Sequence, residues 1–415
     1  MQHSVLIVED SRAYRNYLTA LLSKLEVDLM IADDYQSARR LLDAPESTNI
    51  LCAVLDYCLP DAQDGEIVDL LIEKNIPSIV LTAHVNEDIR QRLVNKGILD
   101  YILKDSVASV AYLAPLINRL ISNLAHTALV VDDSVMVRRH MCQLLQRCYI
   151  HCLEAENGQQ GLEILKHNPQ ITLVIVDHDM PIKDGVTMIQ ETLALYPRHK
   201  FMLLGVSASN DRSITSQFLK AGANDFLHKP FNQDEFYCRV NNLLNLKDSN
   251  DRMFYLANKD VLTGLWNRRF FFDHIYTTKN LISIAMLDLD HFKKVNDLYG
   301  HAMGDQVLQS VAQCMQNLFN HEDNELVARF GGEEFCLYSK QEFPIVIEKL
   351  EQLIKQIASL SFSHNQRSFS VTISVGLFCG YQDISTLVNR ADDMLYEAKR
   401  RGRNQLIYKP TNLDT

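Results

Sequence analysis

The sequence predicts a multidomain α/β chain: two doubly wound parallel-sheet domains followed by an α+β domain with a mostly antiparallel sheet. Three observations predict it. The first third of the chain is repeated in the second, and each copy alternates short β-branched runs with segments of helical period. The last third instead sets two apolar runs around a Gly-Gly turn, between longer helical patterns.

Composition narrows the function classes. The chain has 415 residues, 47% apolar and 22% charged, as in an ordinary globular protein with several cores. Its net charge of -11 argues against wholesale binding to nucleic acid or to acidic membranes. The N-terminus opens directly into Ser4-Val5-Leu6-Ile7-Val8, with no basic leader, and no apolar run reaches membrane-spanning length, so a cytoplasmic protein is expected. The nine cysteines include no CxxC pair, and Cys148 and Cys152 are the close pair. Reduced, mostly buried thiols are expected rather than a disulfide framework or a zinc site.

The repeat is detailed. Leu6-Ile7-Val8-Glu9-Asp10-Ser11 matches Val130-Val131-Asp132-Asp133-Ser134 and the residue before it. Val54-Leu55-Asp56 matches Ile175-Val176-Asp177, each followed by a proline (Pro60, Pro181) and by Asp-Gly. Leu81-Thr82-Ala83 matches Val206-Ser207-Ala208, and the stretch ending at Lys104 matches the stretch ending at Lys229. Helical segments such as Tyr14-Leu18-Leu21-Leu22 and Val137-Met141-Leu144-Leu145 lie between the strands. In a doubly wound sheet, functional groups gather beyond the carboxyl ends of the strands. Glu9, Asp10 and Asp56 fall there in copy one, and Asp132, Asp133 and Asp177 in copy two. Three crowded carboxylates repel one another unless a hard cation neutralises them, and Mg²⁺ suits an all-oxygen site. A single Asp here would read as a helix cap; four matched positions in the same order, twice, do not.

Residues 247–260 lack Gly and Pro and are expected to form a short, stiff connecting helix, which places domains at 1–124, 125–246 and 261–410. In the last domain, Leu281 through Leu287 reads as a buried strand running into Asp288-Leu289-Asp290. Two helices follow, around Phe292 and from Gly304 to about Phe319, then the hairpin Leu326–Tyr338 with Glu333 and Glu334 at its tip. A helix near Ile345–Ile357, a strand Ser370–Gly376, a helix through Lys399 and a strand Gln405–Tyr408 complete the order. A lone GGEE would be a polar turn. Here Asp288, at the end of the neighbouring strand, can join the tip acids in holding a divalent metal, and Mg²⁺ with two carboxylates calls for the phosphates of a nucleotide. Lys399 and Arg403, spaced i,i+4, would share a helix face if the helix ran through Gly402. Asn296 and Asp305 flank a turn at Gly300, and a carboxylate can accept both N–H groups of guanine.

On these residues each copy resembles response-regulator receiver domains. The resemblance implies phosphoryl transfer from a histidine kinase or phosphotransfer protein to Asp56 and Asp177, with Mg²⁺ held by Glu9, Asp10 and Asp56, and by Asp132, Asp133 and Asp177. Thr82 and Ser207 would sense the phosphoryl group, Lys104 and Lys229 would pair with it, and Tyr101 and Phe226 fall at the aromatic switch position. Copy one departs from the pattern in having Asp105 where a proline is usual and Cys58 where copy two has Asp179. Neither change removes a required group, so both copies are expected to be competent, although similar tandem proteins often use one copy as a dimerisation adaptor.

From Asp260 to Lys409 the chain resembles the GGDEF family of diguanylate cyclases in its GGEEF form, through DxLTGLxNRR, DxDxFKxxND, GHxxGD, GGEEF and AKxxGRN. The resemblance implies condensation of two GTP molecules to cyclic di-GMP by a homodimer. Carried over, Asp288, the Leu289 carbonyl, Glu334 and in part Glu333 bind Mg²⁺. Glu333 is the general base, Asn296 and Asp305 read guanine, and Lys293, Lys399 and Arg403 hold phosphates. The family's product-inhibition motif RxxD is replaced by Glu322-Asp323-Asn324-Glu325. The alternative is a non-catalytic module that binds GTP or cyclic di-GMP. Such relatives usually lose one of the acids that this chain keeps. A transcription factor is disfavoured, because no helix-turn-helix follows the receivers.

Overall fold

The computed structural model describes residues 3–44, 49–83, 87–105, 107–209, 211–275, 281–319, 324–364 and 367–410. The chain divides into two compact units, Met1–Asn250 and Asp251–Thr415.

In the first unit, strands β1 (His3–Val8), β2 (Val27–Ala32), β3 (Ile50–Asp56), β4 (Ser78–Thr82) and β5 (Asp100–Leu103) form a sheet of order β2-β1-β3-β4-β5. Every pairing is parallel. Strands β6 (Thr127–Val131), β7 (His151–Ala155), β8 (Ile171–Asp177), β9 (Met202–Ser207) and β10 (Asp225–His228) repeat that order as β7-β6-β8-β9-β10, again all parallel. Helices cover both faces of each sheet, which is why the central strands carry unbroken apolar runs, such as Val5 through Val8, with no exposed surface.

The two copies share a core. Leu116, Ile117 and Leu120 of the helix Leu113–Asn123 lie in one apolar cluster with Leu144, Leu145, Phe236 and Val240 of the second copy. Each such side chain contributes roughly 1.5–3 kcal/mol when fully buried, so the copies are one folding unit rather than two beads. Polar ties reinforce it: Tyr149 donates to the Leu51 carbonyl (2.5 Å), Asn123 to the Cys148 carbonyl (3.0 Å) and Gln233 to the Ile98 carbonyl (2.8 Å). Residues 247–258 are not a separate helix; they continue the helix Gln233–Asn258, in which no Gly or Pro interrupts the backbone ladder.

The expectation of reduced thiols throughout fails at one place. Cys142 and Cys152 form a disulfide, with Cα atoms 5.7 Å apart. It joins the helix Val135–Arg147 to β7 across the turn that separates them. Spacing along the chain had singled out Cys148 with Cys152, but Cys148 points into the shared core and is not disulfide-bonded, and neither are the other six cysteines.

The second unit is built on a six-stranded sheet of β11 (Trp266–Asn267), β12 (Ile282–Leu289), β13 (Glu325–Gly331), β14 (Glu334–Ser339), β17 (Ile373–Gly380) and β18 (Leu406–Pro410). Its order is β11-β13-β14-β12-β17-β18, and β15 (Phe362–His364) and β16 (Arg367–Phe369) form a small hairpin of their own. The three inner pairings are antiparallel and the two outer ones parallel, so the sheet is mostly antiparallel.

Side chains alternate along central β12. Ala285, Leu287 and Leu289 pack under the helices His301–Leu318 and Phe343–Ser359. Ile282, Ile284 and Met286 pack under the helices Arg268–His274 and Ile384–Arg400. Period two therefore puts Asp288 and Asp290 on the face covered by the helix Ile384–Arg400.

Candidate functional site

Each parallel sheet ends in an acidic cluster centred on a lysine. In copy one, Glu9 (end of β1) and Asp56 (end of β3) lie 2.7 and 2.6 Å from Lys104, which follows β5. In copy two, Asp132 and Asp177 both lie 2.5 Å from Lys229. The hydrogen bonds repeat as well. The amides of Cys58 and Asp179 donate to Asp56 and Asp177, both at 3.2 Å. Thr82 and Ser207, at the ends of β4 and β9, are buried.

Burial pushes Glu9 and Asp177 above the usual carboxylate range, against the opposing pull of Lys104 and Lys229. Glu9, Asp10 and Asp56 place ligand oxygens all within 4.8 Å of one another, the one such group of three among the described residues. Such an all-oxygen set fits a hard divalent ion. At the switch positions, Tyr101 is half-buried and Phe226 buried.

One pair of residues escaped the sequence reading. Arg15 donates to the carbonyls of Glu9 (2.6 Å) and Asp10 (3.0 Å), and Arg138 does the same to Asp132 (2.6 Å) and Asp133 (3.2 Å). One terminal guanidinium nitrogen of each arginine, Nη1, thus pins the backbone that carries each acid pair. The signal was an arginine at one spacing after both acid pairs. Copy one also places the Tyr14 ring 4.6 Å from the Lys104 ammonium, where copy two has Val137.

In the second unit, the register pairs Asp288 with Glu334 across β12 and β14, and the Leu289 amide donates to the Glu333 carbonyl (3.3 Å). The hairpin closes through Gly331 (φ 147°) and Gly332 (φ 52°), conformations that side chains rarely adopt. Arg329 fixes that turn by donating to the Gly332 carbonyl (2.7 and 3.0 Å) and is itself held by Asp260 at 2.9 Å. The first motif of the domain thus braces the hairpin.

Lys399 lies 2.8 Å from Asp288. Its helix reaches the sheet because Gly376 lets it approach: a Cβ there would stand 2.1 Å from the Leu395 nitrogen. Burial raises Asp288, with Asp290 and Asp392 adding to the rise and Lys399 opposing it. Glu333 is raised by burial first, then by Asp288 and Glu334, again against Lys399. Acids that resist ionising together, beside a cation and offering only oxygen, fit the divalent metal that cyclases of this kind generally use.

The remaining residues are distributed differently. Lys293 and Asn296 lie on the helix Phe292–Tyr299 and Asp305 on the helix His301–Leu318, which meet at Gly300. Arg403 does not share a helix face with Lys399. The helix stops at Arg400, and Gly402, Arg403 and Asn404 all take positive φ, which no helix continues. Arg403 instead comes within 4.0 Å of Asp290, a buried carboxylate that the sequence reading left without a role. At the product-inhibition position, Glu322 and Asp323 lie outside the described residues. Glu325 is buried and paired to Lys349 through both oxygens (2.8 and 2.9 Å).

Comparison with known proteins agrees with this geometry. The response regulator receiver domain model matches residues 5–111 and 128–241, and the diguanylate cyclase GGDEF domain model matches 257–405. Response regulator PleD of Caulobacter vibrioides is 24% identical over 470 residues, covering 99% of this chain and all of that protein. Diguanylate cyclase A of Treponema denticola is 33% identical over 179 residues, 40% of this chain and 48% of that protein. A solved two-component response regulator/GGDEF domain protein superposes with a TM-score of 0.55 at 34% identity, over 60% of this chain and all of that one. Among the described residues, no helix is long and apolar enough to cross a membrane. The chain belongs to the response regulators that join two receiver domains to a C-terminal GGDEF diguanylate cyclase domain.

Proposed function

We propose that the chain is a phosphorylation-controlled diguanylate cyclase working in the cytoplasm. A histidine kinase or phosphotransfer protein passes a phosphoryl group to Asp56 or Asp177, and a homodimer then condenses two GTP into cyclic di-GMP. The observation that carries the reading is the pairing of Asp288 with Glu334 in register, beside Glu333 and within 2.8 Å of Lys399. It gathers acids and a cation at one sheet end, where no core packing calls for them.

Asp288, Glu334 and the Leu289 carbonyl would hold Mg²⁺, with Glu333 contributing. Bound there, Mg²⁺ supplies positive charge for the phosphate oxygens. Glu333 takes the proton from the 3′-hydroxyl of one GTP as that oxygen attacks the α-phosphorus of the other. The bond to the β-phosphate oxygen breaks and pyrophosphate leaves. The step occurs twice, in opposite directions, so each product molecule releases two pyrophosphates. Lys399, Arg403 and Lys293 hold the triphosphate. Asn296 and Asp305 read guanine, whose N–H pair suits a carboxylate acceptor.

Each domain offers one set of these residues and therefore binds one GTP, so two domains must face each other. The receivers would control that encounter: Thr82 and Ser207 sense the phosphoryl group, Lys104 and Lys229 pair with it, and the acid clusters hold Mg²⁺. The test is product analysis. With GTP and Mg²⁺ the full chain should release cyclic di-GMP and pyrophosphate at one to two, and GTP bound without product would count against an enzyme.

A further inference from the structure

Strand β12 leads into two buried carboxylates on one face, and only the first belongs to the acid cluster. We propose that Asp290 is a positioning residue for the substrate's phosphates, fixing the turn Gly402-Arg403-Asn404 so that Arg403 meets the triphosphate. This rests on the reading of the Asp288 cluster as the GTP site.

Asp290 is 6% exposed, and its carboxylate is fully engaged. Oδ1 accepts from the Ser374 hydroxyl at 2.7 Å. Oδ2 accepts from the Thr372 hydroxyl (2.7 Å) and from the Asn404 amide (3.1 Å). Its own amide donates to the Thr372 carbonyl at 2.8 Å. A buried carboxylate is costly unless hydrogen-bonded and paired, and here three donors from two elements are spent on it. With its oxygens so engaged, Asp290 is poorly placed as a metal ligand.

The turn that it holds needs holding. Gly402 (φ 115°), Arg403 (φ 67°) and Asn404 (φ 46°) stand in succession in the left-handed region, two of them with side chains. Such a run persists only when surrounding bonds fix it. The bonds are Asn404 N–H to Asp290 and Arg403 N–H to the Ala398 carbonyl (3.1 Å). The Arg403 guanidinium then stands 4.0 Å from Asp290, while Lys399 stands 2.8 Å from Asp288. Two carboxylates, two residues apart, thus each set the place of one cation.

The experiment measures affinity of the full chain, in Mg²⁺, for guanosine 5′-(α,β-methylene)triphosphate, which cannot release pyrophosphate. Asp290→Asn, nearly isosteric, should weaken binding about tenfold, and Arg403→Ala should weaken it by a similar factor. The double variant should be no weaker than Arg403→Ala alone, because both act through one side chain. GTP turnover should show a raised KM with kcat within about threefold. Thr372→Val, which leaves all charges in place, should weaken binding a few-fold and serves if Asp290→Asn fails to fold. Unchanged or tighter binding in Asp290→Asn, or full additivity with Arg403→Ala, would overturn the proposal. Wild-type chain that binds the analogue yet makes no product would remove the enzyme reading and leave this comparison decisive. Wild-type chain that does not bind it would overturn both.

Discussion

The Lys399 ammonium sits 2.8 Å from the Asp288 carboxylate, whose side chain is only 10% exposed. Each is the other's counterion in a site proposed to take a metal on one and phosphates on the other. Lys399→Met should therefore weaken binding of the methylene analogue roughly tenfold or more, while Mg²⁺ alone binds at least as well as before. Isothermal titration of each ligand checks this. Loss of Mg²⁺ affinity in the variant would mean that the lysine supports the metal rather than competing with it.

Glu333 stands at the hairpin tip with a raised pKa, held up by burial and by Asp288. Its proposed role is in proton transfer. Glu333→Gln should lower kcat by about 100-fold or more while leaving analogue binding within a few-fold. Rapid-quench measurement of product formation decides; a pure KM effect would assign Glu333 to binding.

The receiver unit should carry a pH-dependent stability. Burial raises Asp100 to about 6; Asp234 adds to the rise, while the Tyr101 amide and Arg90 oppose it. A carboxyl raised in the folded state stabilises fully below its unfolded value of 3.8, and that contribution is lost as pH rises through about 6. Asp100→Asn should thus raise Tm by a few degrees at pH 7 and change it little at pH 4, read by calorimetry. An equal shift at both pH values would point to packing instead.

Product inhibition through the RxxD position should be weak. Glu325, at its last residue, is buried and committed to Lys349. Equilibrium dialysis should find no tight cyclic di-GMP site there, and Lys349→Met should not create one.

Much of this was legible in the sequence. The repeat carried the doubly wound parallel fold of both receivers, because matched strand ends must carry matched chemistry, while the strand order within each sheet came only with the structure. Asp288 and the hairpin acids could be joined because a buried apolar strand next to a Gly-Gly hairpin has few places to go. Other features were not legible, for identifiable reasons. Arg403 looked helical by spacing, but Gly402 ends the helix, and the turn depends on the bond from Asn404 to Asp290, 114 residues earlier. Strand β17 begins at Ile373 rather than Ser370, and Thr372, just before it, serves Asp290 with its hydroxyl and carbonyl. The Cys142–Cys152 bond crosses a turn whose packing no local pattern records. The linker helix was foreseen as a helix, but its continuity with Gln233 depends on a start far from the linker itself.

Receiver phosphorylation is proposed to control cyclisation of GTP. This control is tested most directly by cyclic di-GMP formation in Mg²⁺, with and without beryllium fluoride as the phosphoryl mimic, in wild type, Asp56→Asn and Asp177→Asn. Product should rise with the mimic and fail to rise in at least one variant, which names the controlling receiver. Equal product in all three proteins with and without the mimic would contradict phosphorylation control. No product anywhere, with GTP still bound, would contradict the enzyme itself.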